Sequence, residues 1–227
     1  MVGYSNGQFV VAWQASGRDG DDSDIYFSKK PFVDHWAFCG EPPSQPKSQR
    51  RFPTITSTPD QPHFALNGNE VLVVWREREK TPPLYYTIYS EASNSWSGAH
   101  SIQLSELANR PSVVHTGNMY VTAWDALDDR GVQSIRYSRY PSVHPWNFCA
   151  RPELSRSQTG IGALPLHLGP PVDVALGGGL DGLMFVVVEA RSQLVVTRSQ
   201  DFGKTWDSGT RLDTSDCVGH HPVIAIA

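Results

Sequence analysis

Charged side chains stand at regular places beside the apolar segments of this 227-residue chain. The acidic and arginine residues that come at or after the end of an apolar run include Arg76, Asp125, Asp129, Glu189 and Arg191. The basic residues that come within two positions before a proline of another type of run are Arg51, Arg110 and His221. Guanidinium forks bind carboxylates and other anions bidentately, and carboxylates accept hydrogen bonds from hydroxyl groups. These eight residues are therefore candidates for binding an anionic or polyhydroxylated ligand.

The apolar runs that must position these side chains occur four times. Each copy begins with a segment that follows a turn containing glycine: QFVVAWQ (8–14), EVLVVWR (70–76), MYVTAWD (119–125) and MFVVVE (184–189). A second segment ends in serine, with a tryptophan six to eight residues later: DIYFS (24–28), YTIYS (86–90), SIRYS (134–138) and VVTRS (195–199). A third segment begins near a proline: RFPTITS (51–57), RPSVVH (110–115), PPVDVAL (170–176) and HPVIAIA (221–227). Repeats of about 40 to 60 residues with several short strands and aromatic markers are typical of β-propellers.

The repeats predict an all-β, four-bladed β-propeller in a single domain. The predicted blades are 217–227 plus 1–47, 51–104, 108–155 and 169–214. The chain opens with a second-type strand and closes with a first-type strand, so we expect the N- and C-terminal strands to share one blade and close the ring. We expect the tryptophans to fill the wedges between blades. The segments at 36–42 and 146–152, WAFCGEP and WNFCARP, suggest that the first and third blades arose by duplication of a pair.

Composition narrows the classes of partner and cofactor. The net charge of −4 does not favour nucleic acid or anionic lipid, and the longest apolar run, residues 184–188, is too short to span a bilayer. The N-terminus lacks the features of a signal peptide, so the compartment is either cytoplasmic or reached with a leader already removed. Three cysteines without a CxxC pair predict neither a disulfide framework nor a zinc site. We expect no cofactor, although the central channel beside Asp173 could hold an ion or water.

The segment SQDFGKTW (199–206) is the most specific motif in the chain. It resembles the Asp-box, S-x-D-x-G-x-T-W, of sialidase-like propellers. Five residues carry the resemblance: Ser199, Asp201, Gly203, Thr205 and Trp206. The resemblance implies a structural turn between the third and fourth strands of a blade, away from the active site, and no metal.

The same resemblance gives expectations for a site. Sialidases use an arginine from an R-I-P motif, which Arg51-Phe52-Pro53 resembles, together with an aspartic acid and a Tyr/Glu pair. Asp125, Asp128 or Asp129 could then be the acid, and Tyr85 and Tyr86 could lie near Glu77. Sialidases have six blades, whereas this chain offers four. A closed ring, two chains in a larger ring and a fragment are the three explanations. The complementary ends argue against a fragment, and we prefer the monomeric ring, with a dimer as the alternative.

Three functions fit these observations. The first is a non-catalytic glycan-binding module, which the Arg-rich segment ends favour. The second is a sialidase-like glycoside hydrolase, and the third is a protein-interaction scaffold. Because propellers carry many activities, the fold by itself does not decide whether the protein is an enzyme.

Overall fold

The computed structural model describes residues 2–5, 8–16, 23–31, 50–51, 59–68, 70–77, 84–90, 92–93, 95–102, 107–117, 119–127, 133–141, 161–163, 171–179, 181–190, 193–212, 222 and 224. Within these ranges the chain forms strands and turns, which confirms the all-β prediction. None of the described residues lies in a helix with the length and apolarity needed to cross a membrane.

The described strands form four antiparallel sheets that follow one another along the chain. The first sheet contains β1 (Val2–Ser5), β2 (Gln8–Ser16), β3 (Ser23–Pro31) and β4 (Arg50–Arg51). The second contains β5 (Pro59–Asn67), β6 (Glu70–Glu77), β7 (Leu84–Ser90), β8 (Ser95–Trp96) and β9 (His100–Ile102), where β8 and β9 both pair with β7. The third contains β10 (Leu107–Thr116), β11 (Met119–Leu127), β12 (Gln133–Pro141) and β13 (Ile161–Ala163). The fourth contains β14 (Pro171–Gly178), β15 (Met184–Ala190), β16 (Gln193–Ser199) and β17 (Thr210–Arg211).

The central hairpins alternate between two forms. In the first and third sheets the second and third strands pair over nine residues, from Gln8↔Pro31 and from Met119↔Pro141. In the second and fourth sheets they pair over seven, from Glu70↔Ser90 and from Met184↔Ser199. The first and third sheets thus share one hairpin length, and the second and fourth sheets share another.

Consecutive sheets pack face to face. Leu72 and Tyr86 of the second sheet share an apolar cluster with Val113 and Trp124 of the third. A second cluster joins Val121 of the third sheet to several fourth-sheet residues, and Trp206 packs against it. The strands β6 and β11 are buried along almost their whole length because apolar clusters lie on both faces of each strand, which explains their unbroken apolar runs. The wedge position predicted for the tryptophans is therefore confirmed for Trp124 and Trp206.

The first strands of the third and fourth sheets are also joined directly. The backbone N–H of Leu176 donates a hydrogen bond to Ser112 Oγ at 3.0 Å. The hydroxyl of Thr116 donates to the carbonyl oxygen of Gly179. Gly178 lies against Val114, so the two strands approach closely. Side chains thus replace the ladder hydrogen bonds that separate sheets cannot form with each other.

The first strand of the second sheet differs from the prediction. That prediction placed it at 51–57, whereas the structure places it at Pro59–Asn67 and puts Arg51 at the end of β4, opposite Tyr26. The physical reason is the turn at Gly68, which has a positive φ of 52° and brings Asn67 opposite Glu70. A strand joined by so short a turn must end at Asn67. The first sheet therefore extends past the predicted boundary at residue 47.

The start of the chain also differs from the prediction. Val2–Ser5 pairs with β2, from Val2↔Val11 to Ser5↔Gln8, so the prediction that no strand precedes Gln8 is wrong. The dipeptide Asn6-Gly7 is a strong hairpin-turn signal that accounts for this pairing. The strand predicted at 221–227 lies outside the described residues except for Pro222 and Ile224.

Candidate functional site

Buried carboxylates mark one end of the sheets, where the second strands β6, β11 and β15 finish. Glu77, Asp125 and Glu189 occupy this end, which we call the carboxylate end, and all three are buried. A buried carboxylate is costly unless it has charged or hydrogen-bonding partners. The partners of each acid therefore show what the carboxylate end can do.

Two matching bulges shape the first strands at this end. The register of β10 shifts between Asn109 and Ser112, so that Arg110 and Pro111 both lie opposite Trp124. The register of β5 shifts in the same way at Gln61-Pro62. Gln61 and Arg110 have positive φ angles of 52° and 46°. A bulge of this kind re-aims the side chain of the extra residue.

The re-aimed side chain of Arg110 contacts the carboxylate of Asp125. Arg110 Nη2 donates to Asp125 Oδ2 in an ion pair, with side-chain exposures of 30% and 0%. The backbone N–H of Arg110 donates to Gln61 Oε1 of the second sheet at 2.8 Å. The guanidinium is therefore held by Asp125, and the Arg110 side chain as a whole is partly exposed.

Asp125 combines burial with nearby cations. Burial raises the pKa of its carboxyl group, and this outweighs the lowering by the charge and hydrogen bond of Arg110, by a hydrogen bond from Asn109 and by the charge of Arg76. The result is a carboxyl group that accepts a proton more readily than a solvated aspartate. Two guanidinium groups and one carboxylate form the core of this candidate site.

Glu77 has a different environment on the face of the second sheet away from the third sheet. Trp75 Nε1 donates to Glu77 Oε1 at 2.9 Å, and the rings of Trp75 and Tyr85 stack with centroids 6.0 Å apart. Burial raises the pKa of Tyr85, and the charge of Glu77 adds to that increase. Tyr86 belongs instead to the cluster between the second and third sheets. Of the two tyrosines proposed from the sequence, Tyr85 is the one whose pKa is raised by the charge of Glu77.

His63 is the first residue after the bulge of β5, as Asp173 is after that of β14. Burial lowers the pKa of His63 to about 4, although the charge of Asp173 acts in the opposite direction. The imidazole is therefore neutral at neutral pH. Asp173 Oδ1 accepts a hydrogen bond from the N–H of Val174 at 2.8 Å.

The structure pairs two of the eight ligand candidates, Arg110 and Asp125, and Arg76 is near enough for its charge to lower the pKa of Asp125. Glu189 lies in the fourth sheet, opposite Asp173, and Arg51 lies in β4. Asp129, Arg191 and His221 lie outside the described residues. Gln61 and Asn109 were not predicted from the sequence; the shared pattern of DQP (60–62) and NRP (109–111) was the signal for both.

The opposite end of the fourth sheet carries the turn Ser199–Trp206, which we call the turn end. Asp201 Oδ1 accepts hydrogen bonds from the Ser199 hydroxyl at 2.7 Å and from the Thr205 N–H at 2.9 Å. Its Oδ2 accepts one from the Thr205 hydroxyl at 2.7 Å. Ser199 Oγ also accepts from the N–H of Gly203 at 2.8 Å, where φ is 74°. These contacts are internal to the turn, as expected for a structural motif.

Phe202 fastens this turn to two others. Its N–H donates to the carbonyl oxygen of Gly182 at 3.1 Å, and its ring occupies the space where Gly117 and Gly182 would carry a Cβ. Trp206 meets Tyr137 of the third sheet edge to face, with centroids 5.6 Å apart. The turn therefore connects neighbouring sheets at the end far from Asp125.

Comparisons with known proteins bear on the fold. No protein-family model and no curated protein sequence matches the chain. Trypanosoma rangeli sialidase in complex with the inhibitor DANA matches with a TM-score of 0.58 and 11% identity, over 91% of this chain and 36% of the sialidase. The complex of that sialidase with sialic acid gives the same values. An ulvan lyase bound to -[GlcA(1-4)Rha3S]-, a polysaccharide lyase, matches with a TM-score of 0.56 and 11% identity, over 94% of this chain and 56% of the lyase.

The structure thus has a sialidase-like β-propeller fold. The chain spans about a third of the length of the sialidase and just over half of the lyase. At this level of identity the likeness concerns the fold, and the function must be argued from the carboxylate end.

Proposed function

We propose that the chain is a glycan-binding β-propeller module that holds an anionic sugar at the carboxylate end. The observation that carries the proposal is the pairing of partly exposed Arg110 with buried Asp125, close to Arg76. Arg110 pairs with Asp125, and the charge of Arg76 also acts on that carboxyl group. A sugar carboxylate or sulfate would bind these guanidinium groups through bidentate hydrogen bonds.

The position of Asp125 suits a binding role. A fixed carboxylate on one edge of a guanidinium limits its rotamers, so less entropy is lost when an anion binds the other edge. Two of the neighbouring structures contain sialic acid and a glucuronate-containing saccharide, respectively. Both ligands carry the carboxylate that the proposed site would select. No cofactor takes part in this proposal.

The architecture that we propose for the module has four blades in one monomeric ring. The four sheets support it, and so do the internal hydrogen bonds of Ser199–Trp206, which fit an Asp-box turn. We retain as a proposal that the terminal segment 221–227 contributes a strand to the first blade.

Binding of N-acetylneuraminate and of glucuronate, measured by isothermal titration and by amide chemical shifts, tests the proposal. We expect saturable binding that weakens about tenfold or more in Arg110→Ala, because one charge-assisted pair contributes roughly 1.5–3 kcal/mol. Arg76→Ala should weaken binding less. Arg198→Ala is the matched control, since Arg198 pairs with Asp207 near the turn end. Equal affinity in the Arg110 and Arg198 variants would overturn the proposal.

The second candidate function is a sialidase-like glycoside hydrolase. The observations that favour it are the raised pKa of Asp125, which suits a general acid, and the proximity of Tyr85 and Glu77. Turnover of a fluorogenic sialoside that is abolished in Asp125→Asn would establish the hydrolase. Binding without turnover would establish the non-catalytic module.

A further inference from the structure

The bulge in β10 places two residues opposite a single residue of β11. Asn109 pairs with Asp125 and Ser112 pairs with Ala123, so Arg110 and Pro111 share the position opposite Trp124. Proline has no N–H group, which leaves the N–H of Arg110 as the donor that the bulge releases. An N–H group in this situation needs an acceptor from elsewhere in the fold.

The acceptor comes from the equivalent bulge in the neighbouring sheet. Gln61 Oε1 accepts the N–H of Arg110 at 2.8 Å, although the two residues are 49 positions apart. Gln61 itself has a φ of 52° and precedes Pro62, as Arg110 has a φ of 46° and precedes Pro111. Each bulge therefore contains a residue in the left-handed region. The side chain of Gln61 in the first bulge accepts a hydrogen bond from the backbone of Arg110 in the second.

We propose that Gln61 is the positioning residue for Arg110. Left-handed backbone is sparsely populated by residues other than glycine, and it persists where several contacts define it. For Arg110 those contacts are the hydrogen bond to Gln61 on the backbone side and the ion pair with Asp125 on the guanidinium side. Gln61 sets the direction in which Arg110 leaves the strand, and so the direction of the guanidinium that pairs with Asp125.

This inference rests on the proposed function only where it concerns a ligand. In the glycan-binding module, Gln61 would set the affinity for the anionic group through Arg110 without touching the sugar. The contact between Arg110 and Asp125 is a property of the free protein, and it can be followed without any ligand.

The test compares Gln61→Met, which keeps the length of the side chain and removes the acceptor, with Gln193→Met. Gln193 is a partly buried glutamine at the same end of the fourth sheet. The carboxyl carbon of Asp125 is titrated by ¹³C NMR in both variants. We expect the pKa of Asp125 to rise in Gln61→Met, because the lowering by Arg110 is weakened, and to stay unchanged in Gln193→Met. An unchanged titration of Asp125 in Gln61→Met overturns the positioning role.

The ligand arm uses N-acetylneuraminate as the probe. If the wild-type protein binds it, we expect about tenfold weaker binding in Gln61→Met, corresponding to one lost hydrogen bond. Equal weakening in Gln193→Met overturns the inference. If Asp125 shifts as expected but the wild-type protein does not bind the probe or glucuronate, the glycan-binding proposal fails and the positioning role stands.

A second variant covers the case in which Gln61→Met does not fold. Gln61→Glu keeps an acceptor oxygen at the same distance and makes the hydrogen bond charge-assisted. The amide proton of Arg110 should move downfield in this variant, because a stronger acceptor deshields it. An Arg110 amide resonance at its wild-type position overturns the inference.

Discussion

Asp201 and Asp125 are the same residue type at opposite ends of the sheets, and their carboxyl groups titrate in opposite directions. Partial burial alone would raise the pKa of Asp201, but the hydrogen bonds from Thr205 and Ser199 together hold it below the ordinary value of 3.8. For Asp125 burial prevails, and the pKa stays above that value despite Arg110 and Asn109. The number and origin of the hydrogen-bond donors, relative to the depth of burial, decide whether the pKa of each carboxyl group is raised or lowered.

The difference separates a structural end from a candidate binding end. At the turn end, the donors to Asp201 lie within four residues of it, so the turn satisfies itself. At the carboxylate end, the partners of Asp125 come from β6 and β10, and the backbone of Arg110 depends on β5. A carboxylate that is held by distant strands and whose pKa is raised by burial is the kind of group that ligand sites contain.

The largest expected effect lies at the turn end, in Gly182→Ala. The φ of Gly182 is 87°, and an added Cβ would lie 2.8 Å from the ring of Phe202. Backbone strain and overpacking together should cost roughly 2 to 5 kcal/mol in the free energy of unfolding. Denaturation in guanidinium chloride, followed by tryptophan fluorescence, measures the loss.

Gly98→Ala is the matched control for Gly182→Ala. Gly98 has a φ of 84°, and nothing lies within 4 Å of the position of its Cβ. It should therefore show only the backbone strain, about 1 to 2 kcal/mol. Equal losses at the two glycines would mean that Phe202 does not hold the turn against its neighbours.

The next-largest effect is the dependence of the free energy of unfolding on pH that His63 causes. The pKa of His63 is about 4 in the folded protein and 6.5 when unfolded. The stabilisation is fully present above pH 6.5 and declines as the pH falls towards 4, because the unfolded chain takes up the proton first. The loss amounts to at most about 3 kcal/mol. His63→Gln should flatten this part of the curve of unfolding free energy against pH, and an unchanged slope would contradict the assignment to His63.

A smaller effect should follow the removal of the carboxylate at the turn end. Asp201→Ala removes the acceptor of hydrogen bonds from Thr205 and Ser199, which should cost about 1 to 3 kcal/mol. Thr205→Val removes one of these bonds and should cost about 0.5 to 1.5 kcal/mol. Neither variant should move the amide resonance of Arg110. A shift of that resonance in Asp201→Ala would mean that the two ends are coupled.

The parts of the structure that the sequence predicted are those whose contacts join residues close in the chain. The turn Ser199–Trp206 could be anticipated because its donors and acceptors lie within one short segment. The second and third strands were predicted for a similar reason, since their apolar runs are long and their serines recur. The pattern of residues close in the chain was enough to predict both the turn and these strands.

Arg51 and Gln61 show where that reasoning fails. RFP (51–53) and DQP (60–62) both fit the start of a first strand, and the choice depends on which one reaches the turn at Gly68. The pairing of Asn67 with Glu70 decides for the second. The hydrogen bond between Arg110 and Gln61 connects the third sheet to the second, so no local sequence pattern predicts it. The candidate site was predicted as a set of residue types, whereas its geometry depends on sheet packing.

The smallest effect provides the most direct test of the comparison, because Asp125 and Asp201 should contribute pH slopes of opposite sign. The folded pKa of Asp201 is lowered, so its stabilisation is present above 3.8 and is lost as the pH falls through the folded value. The folded pKa of Asp125 is raised, so the protein gains stability as the pH falls through that value towards 3.8. Asp201→Asn should therefore reduce the acid-side loss, and Asp125→Asn should remove the gain. If both variants change the slope of unfolding free energy against pH in the same direction, burial does not dominate at Asp125. The turn end and the carboxylate end would then not differ in the way proposed here.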